Sequence, residues 1–210
     1  MTRNVSPLEG EFDDIRVDPE RVQVPKAGSF VLSKMIDEDV LQARIRALGA
    51  RLSRDYAGKT LTLVGILKGS FLFMADLIRY IERPVRCEFL GVSSYGHETS
   101  SSGEVKVTSD LTHPISGEHV LVVEDIIDTG LTLNYIRRLL VSREPASIKI
   151  CTLLDKKERR KTHITPDYVG FSIPNEFVVG YGLDYQGLLR NLPWIGVLHM
   201  DADGADASGG

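Results

Sequence analysis

The sequence is poor in cysteine, in aromatic residues and in long apolar runs, and each shortage excludes something. Two cysteines in 210 residues, Cys87 and Cys151, cannot build a disulfide framework. They sit far apart within apolar, β-rich runs and are expected as buried thiols of a cytoplasmic protein. No stretch approaches the roughly 18 apolar residues of a membrane-spanning helix. Met1–Phe12 carries Glu9 and Glu11 where a signal peptide has its apolar segment, so neither export nor membrane insertion is expected. Excess positive charge is missing too. With 25 Lys and Arg against 29 Asp and Glu, the chain carries −4 and offers no overall attraction for nucleic acid or anionic membranes. A phosphate-bearing partner has to be held locally.

What is present is 42 % hydrophobic residues, interrupted throughout by polar ones, which suffices for one globular core. Residues 1–28, with Pro7, Pro19 and Pro25 and no regular period, read as an extended N-terminal arm. Residues 29–200 read as one domain, and the small, acidic, glycine-rich residues 201–210 as a disordered tail. Asp37–Tyr56 places Leu41, Ile45, Leu48 and Leu52 on one helical face, with Asp37 as N-cap and Gly58 beyond the end. Apolar strands are expected at Leu61–Leu67, Val85–Val92, His119–Val123 and Ile148–Leu154, an alternating one at Glu104–Ser109, and further helices at Phe71–Tyr80 and Thr132–Val141. Strands apolar on both faces and interleaved with helices predict an α/β fold with a central, mostly parallel sheet flanked by helices. Ligands then bind beyond the carboxyl ends of the strands.

One strand exit stands out. In His119–Thr132 the acids Glu124 and Asp125 end a buried strand, Asp128 follows, and Thr129-Gly130-Leu131-Thr132 opens a helix. Free amides at a helix start, threonine hydroxyls and a glycine that admits close backbone approach form a phosphate nest. Carboxylates beside a phosphate repel it unless they accept from sugar hydroxyls or face a metal ion, so acids plus nest suggest a ribose 5-phosphate. An ordinary capped helix explains the threonines but not three acids at that mouth. A P-loop is rejected, because Gly58-Lys59-Thr60 has Ser53 in place of the leading glycine and precedes a strand. The basic run Lys156–Lys161 reads, for most members, as a solvated loop.

Val122–Thr132 resembles the phosphoribosyl-pyrophosphate signature of type I phosphoribosyltransferases. Leu67-Lys68-Gly69-Ser70, Ser93-Ser94-Tyr95-Gly96, Leu153-Leu154-Asp155-Lys156 and Phe177–Tyr185, with Arg190 beyond, are similar in order to elements of the hypoxanthine-guanine branch. The likeness runs from about Phe30 to Leu198. It implies the type I phosphoribosyltransferase fold with a small hood and a flexible lid loop. The implied activity is purine salvage, joining hypoxanthine or guanine to phosphoribosyl pyrophosphate with magnesium and releasing pyrophosphate.

The resemblance also implies roles. Glu124 and Asp125 lie under the ribose or hold magnesium. Asp128 faces purine N7 as the proton-transfer group. Asp128, Thr129, Gly130, Leu131 and Thr132 cradle the 5′-phosphate. Lys156 donates to O6, which suits a carbonyl there and not an amino group. Phe177 stacks on the base, Val178 and Asp184 read its other edge, and Asp184 serves a second magnesium. Lys68, Gly69 and Arg190 meet pyrophosphate, and the bond between Lys68 and Gly69 is expected to be cis. Ser94 and Tyr95 belong to a lid over Ser93–Glu104. Leu131 stands where many relatives carry lysine and Ser70 where some carry glycine, with activity expected to survive both. A homodimer or homotetramer is expected, with the exposed face of Phe71–Tyr80 available for it. The competing function, a nucleotide-sensing regulator that binds RNA or DNA on the same fold, should have lost the purine-reading residues and gained a basic face. A transferase for adenine or orotate is opposed by Lys156 and Phe177–Asp184.

Overall fold

The computed structural model describes residues 19–24, 28–94 and 105–200. Residues 1–18, the acidic tail and most of the expected lid, Tyr95 included, lie outside the described residues. In chain order the strands are β1 (Pro19–Val24), β2 (Gly28–Ile36), β3 (Leu61–Leu67), β4 (Val85–Ser94), β5 (Val105–Ser109), β6 (His119–Ile127), β7 (Ser147–Asp155), β8 (Tyr168–Ser172), β9 (Val178–Val179) and β10 (Ile195–Met200). The helices are α1 (Glu38–Asp55), α2 (Phe71–Arg79) and α3 (Leu131–Val141).

The central sheet has the order β5-β4-β3-β6-β7-β8 and is parallel throughout, apart from the edge strand β5, which runs antiparallel to β4. Alternation explains why its inner strands are apolar on both sides. Leu61 and Leu63 of β3 and Leu121 and Val123 of β6 pack with Leu41, Ile45, Leu48 and Leu52 of α1 and Phe73, Met74 and Leu77 of α2. Val64, Ile66, Val120 and Val122 point the other way, to Leu133, Ile136 and Leu140 of α3. Full burial of each such side chain contributes about 1.5–3 kcal/mol, so both faces of the sheet are held by helices and the strand ends are left for ligands.

The smaller sheet, β1-β2-β10-β9, is antiparallel and forms the hood. Residues 19–24, expected as part of an extended arm, are extended and pair along Ser33 to Gly28 as the outer strand of this sheet. The hood's Val178, Tyr181, Leu183, Ile195 and Val197 join the α1/α2 core. The Tyr181 hydroxyl also donates to Asp76 Oδ2 of α2 at 2.5 Å.

Two local expectations need correction. Cys151 is buried, but Cys87 is exposed, because on this edge part of β4, unpaired by β5 until Gly91, it points to the face opposite buried Glu88 and Leu90. Phe89 on that edge and Phe71 on α2 are likewise exposed, at 42 % and 40 %. Asp37 occupies the N-cap position of α1 without a side-chain capping bond; its carboxylate instead pairs with Lys34 Nζ at 2.9 Å. No described helix is long and apolar enough to cross a membrane.

Candidate active site

The ends of β3, β6 and β7 converge with the hood segment 177–190. At the β3 exit the cis peptide is Leu67–Lys68, one bond earlier than expected. Lys68 is exposed, while Gly69 lies directly on the acids of β6. A methyl group at Gly69 would sit 1.5 Å from Asp125 Oδ2, and one at Gly182 of the hood would sit 2.2 Å from Gly69 O. Only residues without a side chain let Gly69 lie against the Asp125 carboxylate and Gly182 against the Gly69 backbone. Ser70 is fully buried with its hydroxyl donating to Ile66 O at 2.6 Å, so the residue that departs from some relatives closes the turn.

At the β6 exit Glu124 is 9 % exposed, and its Oε2 has no hydrogen-bond partner. Burial, reinforced by the neighbouring Asp125 charge, pushes its carboxyl well above the usual range. Burial pushes Asp125 up to about 6, against the lowering influence of the Ile126 amide and of Arg190, and with a further push from Asp184. The Ile126 amide donates to Asp125 Oδ1 at 2.8 Å. Beyond them Asp128, Thr129, Leu131 and Thr132 are half-buried. Gly130 adopts φ +79°, and α3 begins at Leu131, one residue before the expected Thr132. The first intrahelical bond is Asn134 N to Gly130 O at 2.9 Å and Leu131 N donates to Thr129 Oγ1 at 3.4 Å, which leaves the Thr132 and Leu133 amides of the first turn for an anion. Asp128 makes no capping bond. Its Oδ1 accepts from Arg159 Nε at 3.0 Å.

At the β7 exit Lys156 is buried, at 8 % exposure, and its ammonium has no hydrogen-bond partner among the described residues. Burial lowers its pKa, opposed by the Asp128 and Glu176 charges and assisted by Arg159. The basic run is thus only partly solvated. Lys157, Glu158 and Lys161 are exposed, but Arg160 turns inward to pair with buried Asp155 and to donate to Ile164 O at 2.7 Å. Sequence reasoning missed Arg159 and Arg160, since nothing in a six-residue charged run marks which members turn inward.

From the hood, Phe177 is 51 % exposed and stands edge-on to Tyr185, with ring centroids 5.9 Å apart. It is therefore not a core phenylalanine. Val178 is buried beside it. Asp184 pairs through Oδ1 with Arg190 Nη2 at 2.6 Å and accepts from the Gly187 amide at 2.7 Å, while Arg190 Nη1 donates to Gly182 O at 2.5 Å. Ser94 closes β4, next to the segment that is not described.

Residues 36–186 match the model of the phosphoribosyl transferase domain. The chain belongs to the phosphoribosyltransferase family, in its hypoxanthine-guanine branch. It is 54 % identical over 164 residues to the hypoxanthine-guanine phosphoribosyltransferase of Streptococcus pneumoniae, covering 78 % of this chain and 91 % of that protein. Against the hypoxanthine phosphoribosyltransferase of Haemophilus influenzae the identity is 52 % over 170 residues, covering 80 % and 95 %. The crystal structure of a hypoxanthine phosphoribosyltransferase from Staphylococcus aureus superposes with a TM-score of 0.77 at 51 % identity, covering 80 % of this chain and 91 % of that one. In this family setting the α/β fold with its hood is the type I phosphoribosyltransferase fold.

Proposed function

We infer that the protein is a purine-salvage enzyme that transfers 5-phosphoribosyl from phosphoribosyl pyrophosphate to hypoxanthine or guanine, releasing pyrophosphate. The observation that carries this reading is the buried Glu124 carboxylate, its Oε2 unpartnered, beside Asp125 on the strand that leads into α3. A buried carboxylate oxygen without a donor is costly unless a ligand supplies one, and ribose hydroxyls do so while the α3 amides take the 5′-phosphate. The Lys156 ammonium then meets the exocyclic O6, having donors and no acceptor. Phe177 covers the base, Val178 main-chain groups read its far edge, and Asp128 exchanges a proton with N7 as the glycosidic bond forms.

Lys68, Gly69 and Arg190 meet the pyrophosphate. Magnesium, when bound, neutralises the leaving pyrophosphate. Glu124 and Asp125 would hold one ion and Asp184 a second. No three His, Cys, Asp or Glu side chains cluster as a ligand cage among the described residues, which suits an ion bound by one or two carboxylates, waters and substrate phosphates. Ser94 and Tyr95, at the lid, exclude water from an oxocarbenium-like transition state.

The nucleic-acid-binding alternative lacks support, since Lys156, Phe177 and Asp184 are retained and the relatives at about half identity are named as transferases. The test is incubation with phosphoribosyl pyrophosphate, magnesium and each purine base in turn. Pyrophosphate is released with hypoxanthine or guanine, not with adenine, and release stops on chelation. Release with adenine alone, or none with any base, overturns the reading.

A further inference from the structure

The run Lys156–Lys161 contains two arginines that the function above does not use, and one of them reaches Asp128. Arg159 ends the short 3-10 turn Lys157–Arg159, and its Nε donates to Asp128 Oδ1 at 3.0 Å with both side chains partly exposed. The approach is built into the backbone. Lys156 N donates to Ile127 O at 3.0 Å and Lys161 N to Thr129 O at 2.9 Å, so the basic loop is stitched to the phosphate loop immediately before and immediately after Asp128. Within the stitch, Arg159 N to Lys156 O and Arg160 N to Lys157 O, each at 3.2 Å, hold the turn that carries the guanidinium. Arg160, anchored on Asp155, fixes the far side.

Lys156 and Asp128 carry opposite charges at neighbouring strand exits, yet no ion pair joins them among the described residues. Were they to pair, the O6 donor and the N7 partner would neutralise each other and both would be lost to the base. Arg159 offers Asp128 a competing cation in a fixed geometry and engages one oxygen only, which leaves Oδ2 without a partner among the described residues. Its charge also faces Lys156, as do those of Asp128 and Glu176.

We propose that Arg159 is a positioning residue: it holds Asp128 Oδ1 so that Oδ2 faces purine N7, and it keeps Asp128 from collapsing onto Lys156. This rests on the reading of Asp128 as the N7 partner. It separates two members of one basic run by task, with Lys156 touching substrate and Arg159 acting through Asp128.

Steady-state kinetics of Arg159→Ala, Arg159→Lys, Asp128→Asn and the double variant Asp128→Asn/Arg159→Ala test it, with thermal unfolding alongside. Arg159→Ala is expected to lower kcat/KM for hypoxanthine by about 10- to 100-fold, the size of one lost charge-assisted contact, with KM for phosphoribosyl pyrophosphate and the unfolding midpoint unchanged. Arg159→Lys recovers most of the loss. In the Asp128→Asn background, itself down by about two to four orders of magnitude, removing Arg159 adds at most about twofold, as expected of residues acting as one unit.

An Arg159→Ala enzyme with parental kcat/KM beside a crippled Asp128→Asn overturns the proposal alone. So does an equal loss from Arg159→Ala in both backgrounds, or a loss accompanied by a lowered midpoint and a raised KM for the phosphoribosyl donor. Full turnover in Asp128→Asn removes the reading of Asp128 and the proposal with it.

Discussion

Glu88 and Glu124 are glutamates closed off from water in strands of the same sheet, and their surroundings treat them oppositely. Glu88 on β4 is 2 % exposed and fully engaged. Its Oε2 accepts from the Thr112 amide at 2.8 Å and the Thr112 hydroxyl at 2.9 Å, and its Oε1 meets His113 Nδ1 at 2.6 Å. Burial raises its pKa, but the His113 and Thr112 bonds outweigh that and the net shift is downward. Glu124 on β6 has Oε2 unpartnered and a pKa raised by burial and by Asp125. The first carboxylate is spent inside the fold, pinning the segment that follows β5. The second is kept available. Arg160 and Lys156 make a partial version of the contrast four residues apart: the first pairs with buried Asp155, although its Nε has no partner, and the second is buried without one. At the strand exits, the groups left without partners mark where a ligand goes.

The largest effect expected on this contrast is on activity. Glu124→Gln should lower kcat/KM for phosphoribosyl pyrophosphate by about 10- to 100-fold, the loss of one or two charge-assisted bonds, whereas Glu88→Gln should stay within about twofold. Equal losses in the two variants would erase the distinction.

Next come the basic residues. Lys156→Ala should weaken hypoxanthine use by about tenfold and relax discrimination against adenine, read from kcat/KM for each base. Arg160→Ala should instead cost about 3–5 kcal/mol of stability by stranding the buried Asp155 charge, read from the urea midpoint. In the same unfolding assay without ligand, Glu88→Gln should destabilise by about 1–3 kcal/mol, and Glu124→Gln should stabilise by about 0.5–2 kcal/mol.

The smallest effect is on pH dependence. The Asp125 pKa of about 6 lies above the unfolded value near 4, so the folded, ligand-free protein binds the extra proton. Asp125 should therefore contribute a rise in stability of no more than about 3 kcal/mol as pH falls from about 6 to about 4, on top of the gain of the same sign from the raised Glu124, and Asp125→Asn should remove the Asp125 share. Glu88, lowered in the fold, contributes above its unfolded pKa, and that contribution is lost only at more acid pH. Ligand-free stability should thus pass through a maximum on acidification. A monotonic fall from neutral pH would contradict the assignment at Asp125.

Much of this was legible in one dimension. The helix at 38–55, the four apolar strands and the β6–α3 junction follow from periodicity, because burying one stripe or two faces leaves a direct imprint on residue order. The acids at 124, 125 and 128 were legible because three carboxylates at the mouth of an apolar strand have no reason to be there otherwise. Cys87 was not legible. Whether a residue of a β-rich apolar run is covered depends on which face of the strand other elements pack on, and Cys87 takes the face opposite buried Glu88 and Leu90. Arg159 and Arg160 were invisible for a related reason, since a charged run carries no period that says which side chain folds back.

Residue order by itself determined the layers of this protein and the chemical inventory at its strand ends, since both are set by hydrophobic spacing and residue type over short stretches. The pairing of that inventory belonged to the tertiary structure alone. Which carboxylate finds donors, which cation finds a carboxylate and which glycine must lie bare against Asp125 depend on distances between segments remote in sequence. Electrostatic and hydrogen-bond energies depend on those distances and on access to water, neither of which a linear pattern encodes.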